Sequence, residues 1–86
     1  LHQLQSDIFC KKACKYFKNK VFEKAEKSFQ QAVDVPYLQI SDLMETYAAF
    51  AAFEYLMNHQ KKYQEIQQKK KLLKLVPFFQ LNILLN

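Results

Sequence analysis

Apolar residues recur at three- and four-residue steps along most of this chain, the spacing that gathers side chains on one face of an α-helix. From Ile8 to Phe17 the row is Ile8, Phe9, Ala13, Tyr16 and Phe17, and it predicts a first helix. Lys18-Asn19-Lys20 interrupts the pattern. It resumes with Val21, Phe22, Ala25, Phe29, Ala32 and Val33 and stops at Pro36, whose ring disfavours helical backbone in the residue before it. Ser41 followed by Asp42 reads as a cap with an acid in the first turn, so a third helix is expected from Asp42 to Met57. Its Ala48, Ala49, Ala51 and Ala52 leave room for a neighbouring helix to approach closely. Asn58-His59-Gln60 reads as a turn. A fourth helix is expected from Lys61 to Leu75 with Tyr63, Ile66 and Leu73 facing inward, and Pro77 ends it or opens a short last helix from Phe78 to Leu85. The expected fold class is all-α: antiparallel helix-turn-helix hairpins, four helices plus a short C-terminal helix.

Composition agrees. The 86 residues contain no Gly, the residue that makes tight hairpin turns and phosphate-cradling loops easy, and they are rich in good helix formers. Eight Phe and five Tyr give enough apolar surface for one modest core and exclude a disordered chain. We read residues 1–86 as a single domain, and a helical pattern that begins almost at Leu1 is expected of a piece of a longer protein. Nothing resembles a cleavable leader. The most apolar stretch, Leu72 to Leu85, is broken by Lys74, Pro77, Gln80 and Asn82 and falls short of the roughly 20 apolar residues of a spanning helix. The expectation is a soluble, cytoplasmic domain with no transmembrane segment. Cys10 and Cys14 as the only cysteines fit a reducing compartment, since a bridge between near neighbours would staple almost nothing.

One spaced set carries more information than the rest: Phe9, Ala13 and Tyr16, then Phe22, Ala25, Phe29 and Ala32. Two antiparallel helices interlock where bulky side chains of one fall opposite small ones of the other, so large and small residues must alternate at fixed steps. Over residues 5–36 this set resembles the tetratricopeptide repeat. Two positions depart from it: Lys12 stands where the family usually has leucine, and Pro36 arrives one residue early. A looser second copy can be laid over Ala52, Tyr55, Tyr63, Ile66 and Leu73, with a longer turn and with Lys70 in place of an aromatic.

The resemblance implies a function. In that family the inner faces of the first helices line a groove for an extended or helical peptide. Carried over by position, the groove consists of Cys10, Cys14 and Phe17 on the first helix, flanked by Asp7 and Lys18, and Ala49, Phe53, Leu56 and Met57 on the third, beginning at Thr46. Cys10 and Cys14 stand where carboxylate-gripping members carry Lys and Asn, so the implied ligand is an apolar peptide or another polypeptide. The same groove is equally open to being covered by a neighbouring helix of a longer array. Small repeat domains of this kind also resemble the regulatory halves of peptide-sensing transcription regulators.

Charge leaves a second reading open. Residues 1–34 hold seven Lys against four acids, residues 35–58 three acids and no base, and residues 59–86 six Lys against one acid. Lys61, Lys62, Lys69, Lys70, Lys71 and Lys74 make the fourth helix a basic patch for nucleic acid or an anionic surface. Because all thirteen bases are Lys, the bidentate base contacts typical of Arg are missing, and sequence-specific nucleic-acid recognition is not expected. The apolar tail Leu72, Leu73, Leu75, Val76, Phe78, Phe79, Leu81, Ile83, Leu84 and Leu85 must be covered, either by folding back or in a homo-oligomer. No arrangement of nucleophile, base and orienting group is recognisable, and no enzyme activity or cofactor is expected. Cys10 and Cys14 share a helix face, but zinc takes four ligands and His2 and His59 lie far off in sequence, so no metal site is expected.

Overall fold

A computed structural model describes the backbone of residues 1–85 and the side chains of residues 1–77. Four helices follow one another: α1 (His2–Lys18), α2 (Phe22–Asp34), α3 (Ile40–Leu56) and α4 (Gln60–Leu85). Among the described residues all regular secondary structure is helical. α1 packs on α2 and α3 on α4 as two hairpins, with α2 and α3 joining them and α1 touching α3.

The first hairpin closes over small residues. Ala13 of α1 and Ala25 and Ala32 of α2 are fully buried, and Phe29 beside them is nearly so. Ser6 is also fully buried and donates its hydroxyl to the Ala32 carbonyl at 3.0 Å, which ties the start of α1 to the end of α2. That contact carries no apolar signature and was not legible in the periodicity. From this seam the core extends into α3 and α4 through Phe50, Ala51, Phe53 and Ile66. Phe29 stacks on Phe50 at a ring separation of 5.6 Å and meets Phe53 at 5.4 Å, so one α2 aromatic locks both hairpins together.

Both hairpins turn by the same device. At the end of α1, Val21 N–H bonds the Tyr16 carbonyl at 2.9 Å and Lys20 N–H bonds Phe17 at 3.0 Å; at the end of α3, His59 bonds Glu54 at 2.9 Å and Asn58 bonds Tyr55 at 3.0 Å. This double bond is the Schellman arrangement, which needs a left-handed residue at the turn. Lys20 and Asn58 supply it, each with φ of 61°. The shared device pairs Lys20 with Asn58 and therefore Ala13 with Ala51, one residue earlier than the looser copy expected from sequence. Ala51 is buried, whereas Ala52 and Tyr55 are exposed. The two turns are also of equal length.

Lys20 has a Cβ where glycine is usual, at a steric cost of about 1–2 kcal/mol. Part of that is regained because glycine enlarges the freedom of the unfolded chain. Lys20→Gly is accordingly expected to raise stability by about 0.5–1 kcal/mol, read as a higher urea midpoint at unchanged slope.

α1 begins at His2, as the helical pattern near Leu1 implies, and two other boundaries differ from the sequence expectation. α3 begins at Ile40 after an extended Gln39, so Ser41 lies inside the helix and is not its cap. α4 runs through Pro77, so there is no separate C-terminal helix. Proline's fixed φ is compatible with helical backbone, although in a helix interior the ring both removes an N–H hydrogen bond and crowds the carbonyl four residues back.

Candidate functional site

α1 and α3 lie side by side with Cys10 near Thr46 at one end and Phe17 against Phe53 at the other, at a ring separation of 5.8 Å, so the two helices run in the same direction. The valley between them holds a cavity of about 330 Å³. Cys14, Phe17, Ala49, Phe53 and Leu56 line it, and Lys18 is the one charged residue on its wall. Five of the seven groove residues expected from sequence thus share one surface. Phe29 of α2 forms part of the lining as well, which the reading of first helices alone did not include.

The other two stand apart. Cys10 is half-buried toward Thr46 and reaches a shallower depression with Cys14, bordered by Lys11, Lys15 and Lys18. Burial pushes the Cys10 thiol up from its ordinary value, with Cys14 and Asp7 adding to the rise and a hydrogen bond to Thr46 opposing it. A thiol held protonated is a poor nucleophile, so Cys10 offers this surface shape and apolarity more than reactivity. Met57 packs against the core and contributes nothing to the cavity wall.

The expected basic patch is not one face. With 3.6 residues per turn, Lys61, Lys62, Lys69, Lys70, Lys71 and Lys74 are distributed around α4. Lys62 folds over the Phe50 ring at 5.6 Å and donates to Gln30 at 3.4 Å, while Lys69 lies 5.9 Å from the Tyr47 ring. Lys62 is half-buried over the core, and Lys61, Lys69, Lys71 and Lys74 are exposed. Of the apolar tail, Leu72 and Leu75 are exposed and Leu73 half-buried; the side chains of Phe78, Phe79, Leu81, Ile83, Leu84 and Leu85 lie outside the described residues. No helix among the described residues is long and apolar enough to cross a membrane.

A second constellation was not anticipated. Glu54 of α3 is completely buried, yet it meets Glu26 of α2 and His59 of the α3–α4 turn. His59 Nδ1 lies 2.9 Å from Glu54 Oε2 and 3.4 Å from Glu26 Oε2. Glu54 Oε1 is buried with no hydrogen-bond partner among the described residues. Burial pushes the Glu54 carboxyl up to about 7, and a hydrogen bond with Glu26 adds to the rise while His59 opposes it. Beside His59 opens the largest cavity described, about 490 Å³, bordered by Tyr55, Asn58, Gln60, Tyr63 and Gln64. It is the roomier of the two cavities but the more polar, so the smaller valley remains the better surface for an apolar segment. Nothing in the sequence distinguished Glu54 from an exposed glutamate. The only available signal was that a helix pattern placing Ala51 and Phe50 inward also carries residue 54 inward.

No protein-family model, curated protein or solved structure matches this chain.

Proposed function

We propose that this chain is a polypeptide-binding or scaffolding module whose α1–α3 valley takes an apolar segment of another protein. The observation that carries the reading is the valley itself: a cavity of about 330 Å³ walled by Phe17, Phe53, Ala49 and Leu56, with Cys14 on its α1 side. Apolar grooves between parallel helices suit apolar anchors, because burial of each anchor contributes roughly 25 cal/mol per Å². The tetratricopeptide-like spacing of Phe9, Ala13, Tyr16, Phe22, Ala25, Phe29 and Ala32 supports the same reading.

The rim adds a preference. Lys11, Lys15 and Lys18 follow one another along α1 beside Cys10 and Cys14. Acidic residues flanking an apolar anchor would meet these lysines, favouring encounter more than final affinity.

Phe53 is buried, so charging it would disturb the core, whereas Cys14 and Leu56 are exposed on the valley. Amphipathic peptides with a Leu/Phe anchor and acidic flanks, titrated into the isotope-labelled domain, are expected to shift amide resonances of Cys14, Phe17, Ala49 and Leu56. Cys14→Glu and Leu56→Glu should each weaken the tightest peptide about tenfold or more, the effect of roughly 1.4 kcal/mol. Resonance shifts confined to other faces, or unchanged affinity in both variants, would set the groove assignment aside.

A further inference from the structure

Glu26, Glu54 and His59 come from α2, α3 and the turn before α4, and one donor atom of each lies within 4.8 Å of the others. Two carboxylates share this point with a single imidazole, and among the described residues neither carboxylate is paired with a lysine. Two acids so placed repel one another unless a cation or a proton stands between them. Beside the Oε2 that meets His59, Glu54 Oε1 has no hydrogen-bond partner among the described residues, although the side chain is fully buried, and such an orphaned oxygen calls for an explanation.

The distances suit a small metal ion. Zinc binds imidazole nitrogen and carboxylate oxygen at about 2.0–2.2 Å, which in tetrahedral geometry separates neighbouring ligands by roughly 3.4 Å. The pairs from His59 Nδ1 are 2.9 and 3.4 Å, so coordination requires one small outward movement of the ring. Calcium and magnesium prefer all-oxygen shells, whereas an imidazole among carboxylates selects zinc, cobalt, nickel or copper. Access is also present: half of the His59 side chain and much of Glu26 face solvent, and the cavity of about 490 Å³ opens beside the ring.

We propose that Glu26, Glu54 and His59 form a binding site for a divalent transition-metal ion of the zinc class, with three protein ligands and the remaining position open to water. His59 contributes Nδ1, so its proton resides on Nε2. The ion neutralises the two carboxylates and bridges α2, α3 and the α3–α4 turn, fastening the two hairpins at a point where only side chains otherwise meet. Because the proposal uses neither the valley nor its ligand, it stands or falls independently of the peptide-binding reading.

Co²⁺ titrated into the purified, chelator-treated domain tests it, because tetrahedral Co²⁺ has intense visible d–d absorption. The expected result is saturable binding of one ion, reversed by excess Zn²⁺, and a rise in melting temperature with Zn²⁺. Glu26→Gln and His59→Gln alter solvent-facing ligands, so the domain should stay folded by circular dichroism. Each is expected to weaken Co²⁺ at least tenfold and abolish the zinc-induced thermal shift. Cys10→Ser/Cys14→Ser should bind as the parent does. Absence of saturable binding, binding unaffected by both ligand variants, or loss of binding in the cysteine variant would each overturn the assignment.

Discussion

Phe50→Ala is expected to destabilise the domain by about 3–5 kcal/mol, the cost typical of deleting a buried aromatic and leaving a cavity. Phe50 is 1% exposed, stacks on Phe29 of the first hairpin and lies under Lys62 of the fourth helix. Its ring is therefore one contact at which α2, α3 and α4 meet. Alanine would remove the stacking partner of Phe29 and uncover the apolar surface beneath the Lys62 stem. The surrounding helices cannot collapse into the space without moving Ala51 and Phe53, which are already packed. In a domain of this size total stability is on the order of 5 kcal/mol, so most of it should be lost. Thermal unfolding followed by circular dichroism should show a fall of at least about 12 °C. A fall of only a few degrees would mean that the hairpins are held together elsewhere.

The second large effect lies at Glu54 and depends on pH. Its carboxyl is held at about 7 in the folded chain, against 4.5 ordinarily, first by burial and then by the neighbouring Glu26 carboxyl. Below the ordinary value both folded and unfolded states are protonated, and the group costs the fold nothing. As pH rises above it the unfolded state loses the proton while the folded state keeps it. The unfolded state then binds fewer protons, so stability falls with rising pH until the folded carboxyl ionises as well. Above about 7 the cost is constant at roughly 3 kcal/mol. The groups that face this carboxyl are Glu26 from α2 and His59 from the turn, and both are solvent-accessible. Glu54→Gln keeps the shape and removes the charge. In chelator-containing buffer the variant should be flat over this window and more stable than the parent at about pH 8 by up to roughly 3 kcal/mol. Urea unfolding at several pH values provides the comparison, and a parallel decline in parent and variant would show that another group governs the dependence.

These two residues divide along the line between what a sequence displays and what it hides. Phe50 has the character of a core residue, although spacing alone does not single it out in a helix that is apolar on most sides. Glu54 has the composition of a surface residue, and only the approach of α2 to the end of α3 makes it buried. The valley falls between these cases. Cys14, Phe17, Ala49, Phe53 and Leu56 were named from one-dimensional spacing and a resemblance, and they meet at one cavity because α1 and α3 run in the same direction. Met57 was named with them and turns into the core, since one residue along a helix rotates a side chain by more than a quarter of a turn. The lysines of α4 show the same limit: a run of like charges reads as a patch in sequence, while helical rotation lays Lys62 over the core and turns others to different sides.

By itself, the sequence determined the helical class, the number of principal helices, and the small-residue seam of Ala13, Ala25 and Ala32. All of these follow from local periodicity and side-chain size, which a single helix face expresses. The tertiary structure decided the register of the second hairpin, through left-handed Asn58 matching left-handed Lys20. It also decided that Pro77 does not end α4, that Phe29 joins the valley from a third helix, and that Glu26, Glu54 and His59 converge. Each of these depends on how separate helices come to lie against one another. Their contacts join residues distant along the chain, and no local pattern records them.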